Sequence, residues 1–289
     1  MAAVAAVGMF DGVHRGHRAI LDTLAARAKA TGRRPLAFTF SRHPTEIISG
    51  RPAQLITSLS QRTALMSAAG VEPVVLDYSR ADFALTAEQF LGGLREKYGV
   101  DAIVMGFNNH IGADRRDAGW IADNLPVDVS LVQAVDCQGL TPSSSEIRRA
   151  VSAADFACAR TMLGHHFTVR GRVVEGNKIG RTIGFPTANI DVEEDNQLLP
   201  PDGSYIVDVH IGERLYRGMA NIGTRPTIAD GRGRTIEVNI FDFNEEIYGC
   251  TIDIDFLAPL RPEQTFPDLA ALTARLALDR TLARNFVLE

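Results

Sequence analysis

The residues of this chain that could do chemistry fall into a few short stretches. The first reads Gly8-Met9-Phe10-Asp11-Gly12-Val13-His14-Arg15-Gly16-His17. No Gly-Lys-Ser/Thr closes it and its glycines recur every four residues, so it is neither a Walker A loop nor a dinucleotide fingerprint. Glycines let a backbone approach a phosphate, and a helix N-terminus offers free N–H groups with partial positive charge. His14 and His17, three apart, share one helical face and could donate to the charge developing on a pyrophosphate. A plain turn with two exposed histidines is the alternative; a metal site would need a third ligand nearby.

The second stretch is Ser143-Ser144-Ser145-Glu146-Ile147-Arg148. Ser143 with Glu146 makes an ordinary capping box, yet a hydroxyl-rich helix start followed by Arg148 is also what a triphosphate clamp needs. The third runs Gly176-Asn177-Lys178-Ile179-Gly180-Arg181-Thr182-Ile183-Gly184-Phe185-Pro186-Thr187-Ala188-Asn189. Its glycines and cations suit either a surface loop or a loop that covers a triphosphate, with Thr187 and Asn189 as neutral oxygen ligands for Mg²⁺ or phosphate. In Thr235-Ile236-Glu237-Val238-Asn239-Ile240, alternation sets Glu237 and Asn239 on the face opposite the aliphatics. Glu237 is then a solvent-face carboxylate or, beside a phosphate loop, a general base for a hydroxyl. His43, in Thr39-Phe40-Ser41-Arg42-His43-Pro44, is a weaker signal: it faces the same cleft as the first stretch or starts a turn.

The elements that must position these groups change character midway. Strand-like runs at 4–7, 36–40, 74–77, 102–105 and 127–132 alternate with helical patterns at 15–29, 61–69 and 87–98. That order predicts a mostly parallel sheet wrapped by helices, with ligands beyond the carboxyl ends of the strands. From about residue 167 short runs at 168–174, 205–211, 215–222, 235–243 and 251–256 predict antiparallel β structure, a barrel or a sandwich, with Gly212-Glu213 as a hairpin turn. A last helix follows Pro267, with Leu269, Leu272, Leu276, Leu282 and Phe286 as its expected buried stripe. Two domains are expected, 1–160 and 161–289.

Composition narrows the function. With 30 Lys+Arg against 35 Asp+Glu the formal net charge is −5, so binding of a nucleic acid by net attraction is not expected and phosphate contacts must be local. Cys137, Cys158 and Cys250 are scattered, which predicts neither a disulfide framework nor a Cys-type zinc site and fits a reducing cytoplasm. No window reaches the ~18 apolar residues of a membrane span, and the apolar start reads as a strand, not a signal peptide.

Taken together, these stretches resemble the bifunctional prokaryotic riboflavin kinase/FMN adenylyltransferase family, over nearly the whole chain. The first stretch is similar to that family's HxGH nucleotidyltransferase motif. Ser143 to Arg148 resembles its SSTxIR motif, with serine at the third place, and Gly184 to Asn189 its PTAN signature. Asn221-Ile222-Gly223-Thr224-Arg225-Pro226-Thr227, Ile236-Glu237-Val238, and Asp242-Phe243 to Tyr248-Gly249 follow in family order. The resemblance implies a Rossmann-like front domain and a six-stranded antiparallel β-barrel with a terminal helix. It implies ATP-dependent phosphorylation of riboflavin to FMN by the back half, adenylylation of FMN to FAD by the front half, and Mg²⁺ in both.

By the same resemblance Glu237 is the kinase base. Gly176, Lys178, Gly180, Arg181, Gly184, Pro186, Thr187 and Asn189 bind the kinase ATP, with Thr187 and Asn189 on the metal. Gly8, Phe10, Asp11, Gly12, His14, Gly16, His17, Ser143, Ser144, Ser145 and Arg148 bind the second ATP, and Asn108 and His43 the flavin. Two stretches depart from the family pattern: Asn108-Asn109-His110-Ile111-Gly112 lacks its two aromatic side chains, and Ser41-Arg42 replaces an acidic position. A riboflavin kinase with a structural or regulatory front domain is the alternative these departures suggest.

Overall fold

Five short strands, β1 (Ala3–Val7), β2 (Arg34–Phe40), β3 (Glu72–Leu76), β4 (Val100–Gly106) and β5 (Asp128–Val132), pair in the order β3-β2-β1-β4-β5, all parallel. Parallel strands covered on both faces are apolar throughout, and β1 is buried at every position. Alternation divides its side chains: Val4 and Ala6 pack with Leu21, Leu24 and Ala28 of α1 (Arg15–Thr31), while Ala3, Ala5 and Val7 pack with Phe90, Leu91 and Leu94 of α4 (Ala87–Tyr98). The remaining helices are α2 (Pro44–Ser49), α3 (Leu59–Ala68) and α5 (Ala118–Asn124). Of these α2 and α5, at 6 and 7 residues, are too short to leave a readable period in the sequence.

This computed structural model describes residues 2–176, 180, 183–224 and 234–288. The chain divides into two compact units, Met1–Ser144 and Ser145–Glu289. Lys178, Arg181 and the Arg225-Pro226-Thr227 part of one family motif lie outside the described residues.

The second unit begins within α6 (Ser144–Ser152), followed by α7 (Phe156–Leu163), β6 (Phe167–Val174), β7 (Ala188–Val192), β8 (Gly203–Ile211), β9 (Arg214–Thr224), β10 (Arg234–Ile240) and β11 (Thr251–Pro262). These strands close into an antiparallel six-stranded barrel in the order β10-β7-β6-β11-β8-β9, so the sandwich alternative falls. Val169, Val207, Val209, Ile222, Ile236, Val238, Ile252, Ile254 and Phe256 are all but inaccessible to solvent. β7 is an addition to the expected strands, and β10 stops at Ile240 because Asp242 takes φ +55 and turns the chain. β8 and β9 are joined by the expected two-residue turn, Gly212-Glu213, since Ile211 pairs with Arg214.

The final helix α8 (Leu269–Asn285) corrects the expected stripe. Leu269 and Leu282 are exposed, and the contact with the barrel is made by Leu276, Ala283 and Phe286. Charged side chains do the rest. Asp279, 1% exposed, accepts from Arg261 of β11 at 2.8 Å and Arg275 at 2.9 Å, and Arg217 of β9 donates to the carbonyls of Ala283 and Phe286 at 3.1 Å each. Removing one partner of a buried pair strands the other charge, at a cost of about 3–5 kcal/mol. Asp279→Ala should therefore lower the unfolding free energy by about 3 kcal/mol in urea denaturation, and Arg275→Ala, which removes a more exposed partner, by less than half as much.

Candidate active sites

The front site forms where the chain leaves β1 and enters α1. His14 is the N-cap: its Nδ1 accepts the His17 N–H at 3.3 Å, and the two imidazoles stack with centroids 3.6 Å apart. Acceptance at Nδ1 places the proton of the neutral His14 ring on Nε2, leaving that atom as the donor. Gly16 suits the stack, because a Cβ there would lie 3.2 Å from two His14 ring atoms and press on that ring. Burial holds the His14 pKa down at about 4. Burial, then the positive charges of His14 and Arg62, hold His17 well below the ordinary histidine range. Both rings are thus neutral at pH 7.

The turn that presents them is unusual. Phe10, Gly12 and Val13 have φ of 51, 81 and 38°, and for a β-branched residue such as Val13 this costs about 1–3 kcal/mol. Asp11, expected to contact the triphosphate, instead faces inward. It is 1% exposed, and its carboxylate accepts from the N–H groups of Ile56 at 2.9 Å and Thr57 at 3.1 Å. Phe10 is buried likewise, its ring edge-on to His17 at 5.2 Å. Both residues position the loop and the histidines. Gly8 donates to the Phe38 carbonyl at 3.1 Å, and Ser144 Oγ donates to the Asp11 carbonyl at 3.1 Å, bringing that serine to the turn. Ser143 is half-buried; Ser145 and Arg148 belong to α6 in the second unit.

Beside Gly8 and Met9 opens a cleft of about 430 Å³. Its walls carry Phe40, Tyr78, Phe83 and Phe90, whose ring centroids lie 5.3 to 6.0 Å apart in successive pairs. The two residues expected to meet a flavin do not line it. Asn108 is exposed, while its neighbour Asn109 reaches the cleft and donates to the Val7 carbonyl at 3.0 Å. His43 instead caps α2, its Nδ1 accepting from the Thr45 N–H at 3.2 Å. The aromatic surface of this cleft comes from β2, the segment after β3, and α4. Only Phe40 lay in a stretch that the sequence singled out; Tyr78, Phe83 and Phe90 read as ordinary core in a linear sequence.

The back site lies where β7 pairs with β10. Register sets Glu237 opposite Asn189, and the Thr187 hydroxyl donates to Glu237 Oε2 at 3.3 Å. Asn189 also pairs with Val174 on β6, and its amide lies over Gly176, where a Cβ would fall 2.0 Å from the amide nitrogen. Gly180 is close by: its carbonyl accepts the Phe185 N–H at 2.8 Å. Pro186 is fixed by Asn239, buried on the same strand as Glu237, whose amide donates to the Pro186 carbonyl at 2.6 Å. Gly184 accepts from Arg280 at 3.3 Å, and that guanidinium stacks 4.1 Å over Phe185. A cavity of about 570 Å³ adjoins, lined by Thr187, Ala188, Phe243 and Tyr248 among others. Gly176, Gly180, Thr187 and Asn189 of one stretch and the distant Glu237 therefore converge.

Comparison with known proteins agrees with this division. The model of the FAD synthetase family matches residues 1–146, and that of the riboflavin kinase family residues 163–287. The bifunctional riboflavin kinase/FMN adenylyltransferases of Pseudomonas fluorescens and Escherichia coli K12 are each 35% identical, over 97% and 98% of this chain and 92% of their own. That of Bacillus subtilis 168 is 33% identical over 98% of this chain and 92% of its own. A crystal structure from Streptococcus pneumoniae, described as a macrolide-efflux protein, superposes with a TM-score of 0.89 at 32% identity, covering 99% of this chain and 95% of that one. With both units matched in order and relatives aligned end to end, the chain belongs to the bifunctional riboflavin kinase/FMN adenylyltransferase family.

Proposed function

We propose that the chain makes FMN and then FAD at two separate sites. The observation that carries the kinase reading is the hydrogen bond from Thr187 to Glu237 across the β7–β10 pair. It places a carboxylate beside a loop of glycines and a hydroxyl-amide pair. Glu237 accepts the proton of the ribityl 5'-hydroxyl as that oxygen attacks the γ-phosphorus of ATP. The donors there are hard oxygens, and among the described residues no group of three or more His, Cys, Asp and Glu could hold a metal by itself. That set fits Mg²⁺ carried largely by nucleotide phosphates, with Thr187 and Asn189 as its protein ligands. The ion would neutralise charge on the phosphates.

In the front unit the FMN phosphate attacks the α-phosphorus of a second ATP and pyrophosphate leaves, so no covalent nucleophile is required. Neutral His14 and His17 donate hydrogen bonds to the leaving group, helped by Ser144. The aromatic cleft beside Gly8 and Met9 takes the flavin ring. Because family models match both units, the reading with a front domain that does no chemistry is not favoured. Riboflavin, FMN and ATP are the partners; the location is the cytoplasm. No helix among the described residues is long and apolar enough to cross a membrane, and the three cysteines are free.

Two outcomes follow. His17→Ala should cut FAD formation from FMN at least a hundredfold and leave FMN formation within twofold, while Glu237→Ala does the reverse; parallel loss of both products from either change contradicts separate sites. The second concerns pH. With the working rings neutral, FAD formation should show no imidazole inflection between pH 6 and 8, and a rate climbing as pH drops through 6.5 would mean that the protonated ring acts. The unfolded ring titrates near 6.5 and the folded His14 near 4, so stability is lost as pH falls from about 6.5 toward 4 and is unaffected above. His14→Ala should flatten that fall in denaturation series at pH 4.5 and 7.

A further inference from the structure

We propose that Thr57 is a positioning residue for adenylyl transfer, holding the β1–α1 turn in the conformation that presents His14 and His17; this rests on the adenylyl-transfer reading of the front unit. Thr57 lies on the segment ahead of α3, 43 residues beyond His14, and belongs to none of the motifs above. Its Oγ1 accepts the Gly12 N–H at 3.0 Å, and its hydroxyl proton goes to Asp11 Oδ1 at 3.3 Å. Its own N–H donates to the same carboxylate oxygen at 3.1 Å. One side chain thus bonds two successive residues of the turn.

Those two residues sit between Phe10 and Val13, both in the left-handed region that ordinary residues avoid. A turn so strained keeps its shape only where the surroundings over-determine it. Thr57 is 4% exposed, so its hydroxyl works on the turn and not on solvent. The next residues are Val13, packed in the α1 side of the core, and His14, the N-cap on which the His17 ring stacks. Freedom gained at Asp11-Gly12 therefore moves the donors of the leaving-group site, while the strands beneath them stay paired. The effect should appear in the chemical step, since donors misplaced by about an ångström lose transition-state contact.

Thr57→Val keeps the shape of the side chain and removes the hydroxyl, whereas Thr57→Ser keeps the hydroxyl. In the full-length chain, T57V should lower kcat for FAD formation from FMN at least tenfold, with KM for FMN and ATP within threefold and riboflavin phosphorylation within twofold. T57S should retain at least a third of the parent rate. Amide hydrogen exchange at residues 8–14 should quicken at least tenfold in T57V and not in T57S, with β1 and β4 still protected. The proposal is overturned if T57V forms FAD within twofold of the parent, if T57S is as impaired as T57V, or if T57V loses protection across the whole sheet. A parent chain that forms FMN but no FAD would defeat the adenylyl-transfer reading instead, and the exchange rates at 8–14 would then decide on Thr57 alone.

Discussion

The buried carboxylate of Asp11, accepting the backbone N–H groups of Ile56 and Thr57, fastens the exit of β1 to a segment more than forty residues away. That tie holds the turn that carries His14 and His17. A parallel sheet delivers its strands to one edge and leaves the following turns to point the reactive groups. Here the turn must pass through left-handed conformations at Phe10, Gly12 and Val13 to bring His14 onto the first turn of α1. The barrel solves the same problem with other groups: Asn239 of β10 holds the Pro186 carbonyl, and Thr187 and Glu237 meet as a consequence of strand register. In both units a loop-borne group is placed by a hydrogen bond to a distant element.

Charge is handled locally. A chain with a net charge of −5 has no general attraction for triphosphates, and burial keeps both imidazoles of the front site neutral. What it offers is oriented N–H donors at a helix N-terminus, which gain strength where water is excluded and need no reorganisation as charge develops. In the proposed reading the base at the back site is a single carboxylate, a second case of chemistry resting on position more than on charge.

Much of this was legible in the sequence, because the fold rests on period and the sites on glycine and hydroxyl spacing. The alternation of Ile236, Val238 and Ile240 set Glu237 on the other face of its strand, and that face carries the bond to Thr187. What the sequence hid has physical causes. Strand β7 is five residues long and follows the proline of a loop motif, so no run announces it. Phe40, Tyr78, Phe83 and Phe90 come from separate elements and become a cleft only after folding. Asp11 and Phe10 lie in the first motif, and nothing in a linear sequence says that their side chains face inward. The stripe on α8 failed for a related reason: the Arg261–Asp279 pair and the Arg217 bonds to the Ala283 and Phe286 carbonyls fasten that helix to the barrel, and Leu269 and Leu282 face solvent.

The central claim is that one chain carries two complete and sequential active sites. It is tested most directly by incubating the purified protein with riboflavin, ATP and Mg²⁺ and resolving riboflavin, FMN and FAD by chromatography over time. The account predicts that FMN rises first and FAD follows at its expense, and that FMN supplied alone with ATP is converted to FAD. FMN without FAD, even when FMN is the added substrate, would contradict the front site, and no FMN at all would contradict the back one.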